Sequence, residues 1–516
     1  MHHHPTALRN TRRGPRYRAG AFLAVSLAAL LLASGCADRS APSFTDLLHI
    51  CSADEGPTDA YCGSYQVFED RELGSGKTIR LSIVVLPSVG ADVRPDPLVF
   101  LAGGPGQGAA QMASLVQAAF RSVQRNRDIV LVDQRGTGRS NPLNCRSSSD
   151  SLAELSESDD EALEKLKKCL ATLPGDPRLY TTTIAMDDLD DVREFLGYDK
   201  VNLYGGSYGT RAALVYLRQH PEHVRTVVLD GVAPTDMSLP LFAARDAQRS
   251  LDKLATDCAN DPACSAAYPG LGERVRNLFA RLDAKRPRVR LVHPRTGEAE
   301  VVALRASVVA SMIFGALYSP LTSSILPSLI ERAEHNDFQG LLALAFAGES
   351  TTDSMSLGMQ LSVLCSEDSP RYSPADITRE AAGTLFGTRL LSGQVAACQF
   401  WPRGVVDAGY YAPVVSPVPA LVLSGEIDPV TPPTWGIEVV KYLKNGRHLV
   451  MPGTGHGVAA TACGNRIVSD FIDSADAAGL DTACVHNVHR PGFFLTPAGP
   501  EPAPLNLASA KQGDGQ

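Results

Sequence analysis

Gly205-Gly206-Ser207-Tyr208-Gly209 is the stretch that decides how the rest of this 516-residue chain is interpreted. It fits the Gly-x-Ser-x-Gly pattern, in which a serine occupies a strained turn between a strand and a helix. Residues 201–204 before it form an apolar run typical of a buried strand, and residues 210–219 after it have helical apolar spacing. The glycines leave room for a tight reversal of the backbone. The sequence therefore predicts a nucleophilic serine at Ser207.

Strand and helix patterns alternate on both sides of this turn. Continuous apolar runs, such as residues 129–132, are typical of parallel strands buried on both faces. Residues 111–123 and 185–196 have amphipathic helical spacing between strands. We therefore predict an α/β fold with a doubly wound, mostly parallel sheet. The predicted strands are 64–68, 78–86, 97–101, 128–133, 201–204, 224–229, 420–423 and 448–451.

A long, mostly helical segment interrupts the alternation. Its candidate helices are 246–258, 272–282, 306–316 and 326–335. A segment of this kind between two strands of one sheet indicates a domain inserted into the core, and we call residues 235–415 the lid. The predicted organisation is a signal peptide at 1–36, a tether at 37–59, a first core part at 60–234, the lid, a second core part at 416–490 and a Pro/Ala-rich tail at 491–516.

The N-terminal residues have the pattern of a targeting segment. Arginines between residues 9 and 18 precede an apolar stretch at 19–34 that is short for a membrane span. The run Leu32-Ala33-Ser34-Gly35-Cys36 resembles a bacterial lipobox, which implies cleavage before Cys36 and acylation of its thiol. Plain secretion is the alternative. Acylation predicts a protein of the bacterial cell envelope that contacts the membrane only through its lipid anchor. Plain secretion predicts a location outside the cell.

Charge and cysteine content narrow the possible classes of protein. The net charge of −8 argues against nucleic acid as a partner. Without Cys36, ten of the 11 cysteines remain, an even number that fits an oxidising compartment. There is no Cys-x-x-Cys pair, which disfavours a metal site, and no cofactor is expected. Connectivity stays open, but pairing of neighbours would give Cys51–Cys62, Cys145–Cys169, Cys258–Cys264, Cys365–Cys398 and Cys463–Cys484.

A serine nucleophile needs a base and an acid that orients the base. His456 lies in a glycine-rich loop directly after a predicted strand, which makes it the candidate base. The loop after the preceding strand contains two carboxylates, Glu426 and Asp428. We prefer Asp428 as the acid because it lies beyond the strand end, before a turn fixed by proline. Thr431 is expected to cap the next helix and could brace this loop.

The developing oxyanion needs backbone donors. One is expected to be the amide of Tyr208, and the others those of Gly103 and Gly104 in the glycine-rich loop after the third predicted core strand. We expect Arg135 and Asp133 to form a buried pair that holds this loop, with direct substrate contact as the alternative.

Taken together, these motifs resemble the prolyl and tripeptidyl aminopeptidase group of α/β-hydrolases. The resemblance rests on Gly103-Gly104-Pro105-Gly106, on Asp133-Gln134-Arg135-Gly136-Thr137-Gly138-Arg139-Ser140, on the Ser207 motif and on Asp428-Pro429-Val430-Thr431-Pro432. It covers roughly residues 60–235 and 415–480, and not the lid. Ala102 stands where the prolyl enzymes usually carry histidine, which favours the tripeptidyl branch or esterases.

The resemblance implies a serine exopeptidase that releases short peptides from free N-termini through an acyl-enzyme on Ser207. A buried subsite for a protonated amine must be anionic, so Glu367 and Asp368 in the lid are candidates, with a solvated loop as the alternative. A carboxylesterase or lipase-like enzyme with the same three residues is the second hypothesis. A catalytically silent binding protein is the third. The sequence does not reveal the oligomeric state.

Overall fold

The computed structural model describes residues 44–53, 59–145, 151–347, 355–496 and 499–500. Its strands are β1 His49–Cys51, β2 Ala60–Phe68, β3 Thr78–Leu86, β4 Leu98–Leu101, β5 Ile129–Val132, β6 Val201–Gly206, β7 Val224–Asp230, β8 Arg288–Val292, β9 Ala299–Ala303, β10 Ala420–Gly425 and β11 Gly446–Met451. Apart from β8 and β9, which form a separate hairpin, they make one sheet of nine strands in the order β1-β2-β3-β5-β4-β6-β7-β10-β11. Neighbours from β5 to β11 pair in parallel, whereas β1, β2 and β3 extend the sheet antiparallel.

Helices cover both faces of the sheet. The side chains of β4 alternate between two cores: Val99 and Leu101 pack with the helices Thr182–Phe195 and Tyr208–Gln219, and Leu98 and Phe100 pack on the opposite face. The other α-helices are Phe44–Leu47, Ala113–Ala119, Asp159–Leu170, Ala243–Asn260, Pro262–Ala267, Leu271–Ala284, Ala306–Leu317, Pro320–Glu334, Gln339–Ala347, Leu357–Val363, Pro374–Ala381, Ser392–Ala397, Pro433–Val440 and Ala462–Ser474. The predicted doubly wound α/β class is confirmed.

The lid has an apolar core of its own. Helices from Ala243–Asn260 to Gln339–Ala347 bury side chains such as Leu254, Phe279 and Ile313 against one another. The hairpin of β8 and β9 belongs to the same core and was not among the predicted elements. Its alternating pattern spans only five residues per strand, too few to stand out beside long helical patterns.

The ends of the chain bear on three expectations. Residues 44–51, inside the expected tether, form the helix Phe44–Leu47 and strand β1, which pairs with β2. The expected signal peptide, Cys36 and residues 501–516 lie outside the described residues. In the part of the chain that is described, no helix combines the length and apolarity needed to cross a membrane.

Five disulfides link each remaining cysteine to its neighbour in sequence. They are Cys51–Cys62, Cys145–Cys169, Cys258–Cys264, Cys365–Cys398 and Cys463–Cys484. Five disulfides are typical of a protein of an oxidising compartment.

Candidate active site

Ser207 lies on a strained turn at the carboxyl end of β6. Its φ of 57° and ψ of −127° are outside the regions that non-glycine residues usually occupy, and the helix Tyr208–Gln219 begins directly after it. Gly205 and Gly209, two residues on either side of Ser207, have no space for a side chain. A Cβ on Gly205 would lie 2.3 Å from the carbonyl oxygen of Gly209, and one on Gly209 would lie 2.1 Å from that of Leu101. The turn thus presents a serine at the start of a helix.

His456 and Asp428 form a hydrogen-bonded pair on the loops after β11 and β10. The Nδ1 atom of His456 lies 2.8 Å from Oδ2 of Asp428. The other carboxylate oxygen, Oδ1, accepts the amides of Val430 at 2.8 Å and Thr431 at 2.9 Å, and the Thr431 hydroxyl donates to Oδ2 at 2.8 Å. Thr431 therefore braces the carboxylate, as expected, but the expected capping role is wrong, because the helix Pro433–Val440 has Pro432 at its N-cap position and no side-chain cap.

These contacts set the charge balance of the pair. Burial disfavours the Asp428 carboxylate, but His456 and the hydrogen bonds outweigh it and lower the pKa of Asp428. Burial likewise disfavours a charged imidazole, yet the Asp428 carboxylate raises the pKa of His456. An imidazole held in this way can accept a proton and stabilise the resulting positive charge.

Glu426, the alternative acid, has a different position. Its Oε2 atom accepts the amide of Gly453 at 2.8 Å, on the loop that precedes His456. Its side chain is 40% exposed, whereas that of Asp428 is 0% exposed. Glu426 thus supports the loop 452–457, which carries His456 and which we call the base loop. Asp428 is the carboxylate in contact with the imidazole.

Asp230 and Gly231, at the end of β7, connect the serine to the histidine. The amide of Ser207 donates to the carbonyl oxygen of Asp230 at 2.9 Å. Gly231, with a φ of 69°, lies against the imidazole, since a Cβ there would be 3.1 Å from Cε1 of His456. The turn that carries Ser207 and the loop that carries His456 therefore meet at the end of β7. A side chain in place of Gly231 would press against the imidazole of His456.

The buried carboxylate of Asp230 holds the base loop. Its Oδ1 accepts the amide of Val458 and its Oδ2 that of Ala459, both at 2.8 Å. The Tyr204 hydroxyl donates to Oδ2 at 2.7 Å. The sequence analysis assigned no role to Asp230. The feature that could have pointed to it is a carboxylate at the end of an otherwise apolar, buried strand.

The glycine-rich loop after β4 lies beside the serine. A Cβ on Gly103 would be 3.1 Å from Cβ of Ser207, and Gly104 has a φ of 108°. The lid covers this loop, because the amide of Ser356 donates to the carbonyl oxygen of Gly106 at 2.8 Å. The Tyr208 amide is the first of its helix, at the positive end of the helix dipole. An oxyanion near Ser207 would face this end of the helix and the Gly103–Gly104 segment.

The expected pair of Arg135 with Asp133 is wrong. All five guanidinium N–H groups of Arg135 have other acceptors: both Asp188 oxygens, at 2.6 and 2.9 Å, and the carbonyl oxygens of Phe68, Glu69 and Leu179. Asp188 lies 53 residues after Arg135 in the sequence, on the helix Thr182–Phe195, so the contact between them depends on the tertiary fold. Oδ1 of Asp133 accepts the Ala110 amide at 2.8 Å, directly after the glycine-rich loop that follows β4.

Glu367 is buried and bonded within the protein. Its Oε1 accepts the Thr182 amide at 2.7 Å, and its Oε2 accepts the Thr182 hydroxyl at 2.9 Å and the Tyr410 hydroxyl at 2.5 Å. Thr182 shares a further hydrogen bond, of 2.6 Å, with the Tyr208 hydroxyl. Glu367 thus links the lid to the residue that follows the serine.

Asp368, the next residue, also links the lid to the helix Tyr208–Gln219. Both of its oxygens accept Nη1 of Arg211, at 3.0 and 2.9 Å, and Oδ1 also accepts the Leu239 amide at 2.8 Å. Both acidic side chains of this pair are 0% exposed. These contacts argue against direct binding of a substrate amine by Glu367 or Asp368, and favour a role in joining the lid to the helix Tyr208–Gln219.

The lid also contacts His456 directly. The carbonyl oxygen of Tyr318 accepts the His456 amide at 2.7 Å, and the two rings meet edge to face at 5.2 Å. A Cβ on Gly455 would lie 2.1 Å from the same carbonyl oxygen. Nothing in the local sequence pointed to Tyr318, because this contact joins residues far apart in the chain.

Among the described residues, one group has the composition of a metal site. Ligand atoms of Asp190, His220 and His223 lie within 4.8 Å of one another. Oδ1 of Asp190, however, already accepts Nε of Arg193 and the Tyr216 hydroxyl, both at 2.7 Å. A guanidinium on the same carboxylate opposes a second cation, so we assign this group a structural role.

Comparison with known proteins agrees with this fold. Residues 96–461 match the alpha/beta hydrolase fold family, which is more than half of the chain, and the protein belongs to that family. Serine protease Hip1 of Mycobacterium tuberculosis is 26% identical over 448 residues, covering 81% of this chain and 85% of that protein. Carboxylesterase B of the same species is 28% identical over 451 residues, covering 80% and 83%.

A third relative is similar over a shorter stretch. Tripeptidyl aminopeptidase of Streptomyces lividans is 32% identical over 200 residues, covering 35% of this chain and 37% of that protein. The chain is thus a serine hydrolase whose homologues include a protease, an aminopeptidase and an esterase.

Proposed function

We propose that this protein is a serine exopeptidase that removes short peptides or residues from free N-termini. The observation that carries the proposal is the contact of 2.8 Å between His456 and Asp428, on loops that meet the Ser207 turn at the end of β7. The likeness to tripeptidyl aminopeptidase supports a peptide substrate with a free amine.

The mechanism follows from the three residues. Ser207 Oγ attacks the scissile carbonyl carbon while Nε2 of His456 takes the hydroxyl proton, and Asp428 stabilises the imidazolium. The amides of Tyr208, Gly103 and Gly104 stabilise the oxyanion. His456 then gives its proton to the leaving amine, and an acyl-enzyme remains. A water molecule, deprotonated by His456, attacks the carbonyl carbon of this ester. The bond between that carbon and Ser207 Oγ then breaks, His456 returns the proton to Oγ, and the released peptide leaves as a carboxylic acid.

Selection of a free amine needs an anionic or polar subsite beyond the acyl position. Glu367 and Asp368 were the sequence candidates, and their internal bonds make direct amine contact an unfavourable assignment. In this proposal they instead fix the lid wall against which the N-terminal end of the substrate binds.

Carboxylester hydrolysis by the same triad is the second candidate. One observation supports it: the likeness to carboxylesterase B extends over 80% of this chain, close to the 81% for serine protease Hip1 and above the 35% for tripeptidyl aminopeptidase. The chemistry is identical up to the leaving group, which is an alcohol instead of an amine. Preference between the two must therefore be measured.

For the location, we propose the bacterial cell envelope, through acylation of Cys36, or secretion. The five disulfides support an oxidising compartment. The domain division proposed from the sequence, with the lid at 235–415 between two core parts, is kept, except that residues 44–51 are included in the core because β1 pairs with β2.

A hydrolysis panel tests the proposal on protein lacking residues 1–36. Free-amine tripeptide, dipeptide and proline anilides are compared with their N-blocked forms and with a short-chain nitrophenyl ester. We expect turnover of a free-amine peptide that is lost on blocking and is absent from Ser207→Ala. Ester turnover without peptide cleavage would replace the exopeptidase by the esterase. Equal cleavage of free and blocked peptides would indicate an endopeptidase.

A further inference from the structure

One lid helix binds the loop that carries the candidate acid. On the helix Ala243–Asn260, Arg249 donates from Nη1 to the carbonyl oxygen of Glu426 at 2.9 Å and from Nη2 to that of Asp428 at 2.5 Å. The next residue, Ser250, donates from Oγ to the carbonyl oxygen of Ile427 at 2.7 Å. Two adjacent lid side chains thus satisfy three consecutive carbonyl oxygens.

The opposite side of this short segment is bound by the base loop. The amide of Glu426 donates to the carbonyl oxygen of Met451 at 3.0 Å, and that of Ile427 to the carbonyl oxygen of Thr454 at 3.0 Å. The segment 426–428 is therefore held between the lid and the loop that leads to His456. Buried backbone oxygens that lose their donors are costly, so this segment is expected to shift if the lid contacts are removed.

We propose that Arg249 and Ser250 are positioning residues, which hold the backbone of residues 426–428 so that the carboxylate of Asp428 meets the imidazole of His456. The inference rests on the proposed role of Asp428 as the catalytic acid. It makes a lid helix part of the catalytic arrangement, because errors of about 1 Å in such a group can lower turnover by about 100-fold.

The neighbouring Arg245 provides a matched control. It lies one turn earlier on the same helix and is partly exposed, but it pairs with Asp246 at 2.9 Å and with Glu380 at 3.4 Å. Replacing either arginine by methionine therefore removes a guanidinium from the same helix. Only the replacement of Arg249 also removes contacts to residues 426–428, the loop that carries Asp428.

The test uses the full chain with the variants Arg249→Met, Arg249→Lys, Ser250→Ala and Arg245→Met. Turnover of the best substrate in the panel is measured together with the rate at which a phosphonate probe modifies Ser207. For Arg249→Met we expect kcat to fall by about 10- to 100-fold, with KM changed by less than about threefold. For Ser250→Ala we expect a fall of about three- to tenfold. Arg249→Lys should recover part of the loss, and Arg245→Met should behave as the unmodified protein.

Two results would overturn the inference. One is unchanged kcat and probe rate in Ser250→Ala and Arg249→Met. The other is an equal loss in Arg245→Met, which would indicate a general effect on the helix. If Arg249→Met does not fold, Ser250→Ala decides alone, since it removes a single oxygen atom. Failure of the proposed function is distinguishable. If only the exopeptidase assignment fails, the unmodified protein turns over the ester and reacts with the probe, and the variants keep the same order; if the triad assignment fails, the unmodified protein reacts with neither.

Discussion

At the scale of single residues, the site consists of side chains whose usual behaviour is altered by their surroundings. Ser207 is held at a backbone conformation that favours glycine, with φ of 57°. Asp428 is fully buried and yet its pKa is lowered, because His456 and donors from Val430 and Thr431 stabilise the anion. Such combinations of strain and buried charge are typical of functional sites.

The pKa of His456 has a consequence for the pH dependence. Since the neutral imidazole is the base, kcat/KM should fall as the pH decreases through the pKa of His456. Asp428 raises that pKa, so Asp428→Asn should move the acid limb of the profile to lower pH. We also expect kcat to fall by about 100- to 10,000-fold, because the imidazole loses its orienting partner.

The measurement is a pH profile of kcat/KM for both proteins, with Glu426→Gln as the control. Glu426 lies two residues earlier and contacts Gly453, so its variant should keep the position of the limb. An acid limb that moves to higher pH in Asp428→Asn, or does not move, would contradict this account of the pair.

At the scale of elements, the sequence predicted those features that are encoded locally. Strands β3 and β7 were placed to within one residue, because apolar runs and turn residues are contiguous. The assignments of Ser207, Asp428 and His456 followed from loops after predicted strands, and they remain predictions until tested by substitution. The partner of Arg135 and the contacts of Glu367 were beyond sequence reasoning, because they join distant segments.

The contacts of Asp230 predict an effect on the base loop. In Asp230→Asn, the amide nitrogen would face a backbone N–H donor, from either Val458 or Ala459. We expect a loss of about 1–3 kcal/mol in the free energy of unfolding, measured by urea denaturation, because a buried donor is left unpaired. We also expect kcat to fall by about tenfold at 25 °C, since the loop carries His456.

Tyr204→Phe is the matched variant for this prediction. It removes one donor to Asp230, at 2.7 Å, and leaves both amide contacts to the loop. Its kcat should therefore stay close to that of the unmodified protein. An equal fall in kcat for the two variants would show that the carboxylate has no particular role in holding the loop.

The lid element that contains Glu367 makes a separate prediction. Because Glu367 accepts the Thr182 amide and two hydroxyls, Glu367→Gln should lower stability, with a fall in Tm of a few degrees for a loss of about 1–2 kcal/mol. The ratio of kcat/KM for free-amine and N-blocked substrates should not change. A selective loss of activity on free-amine peptides would restore Glu367 as the amine subsite.

At the scale of the whole molecule, the lid contacts each segment of the candidate active site. Ser356 bonds to the glycine-rich loop after β4, Tyr318 to the loop of His456, and Arg249 to the loop of Asp428. Asp368 bonds to Arg211 on the helix Tyr208–Gln219, and Glu367 bonds to Thr182, which bonds in turn to Tyr208. A segment with its own apolar core thus also orders the catalytic loops. The sequence indicated a lid from its helical pattern, but these contacts depend on packing between domains that no local pattern encodes.

The disulfide Cys365–Cys398 lies next to two of these contacts. It closes a loop with a sequence separation of 33 residues, and this loop begins with Ser366, Glu367 and Asp368, directly after Cys365. Replacing both cysteines by alanine should lower the free energy of unfolding by about 2–5 kcal/mol, measured by urea denaturation under oxidising conditions. The same replacement at Cys258 and Cys264, which close a loop with a separation of six, should cost less. The reverse order would contradict the loop-closure argument.

Ser207 is the proposed nucleophile of a Ser-His-Asp hydrolase, and this assignment is tested by treating the folded protein with a serine-directed phosphonate and locating the adduct by peptide mass spectrometry. We expect a single adduct on Ser207, absent in Ser207→Ala and formed far more slowly in His456→Ala. An adduct on another residue, or no adduct on a folded protein, would contradict it.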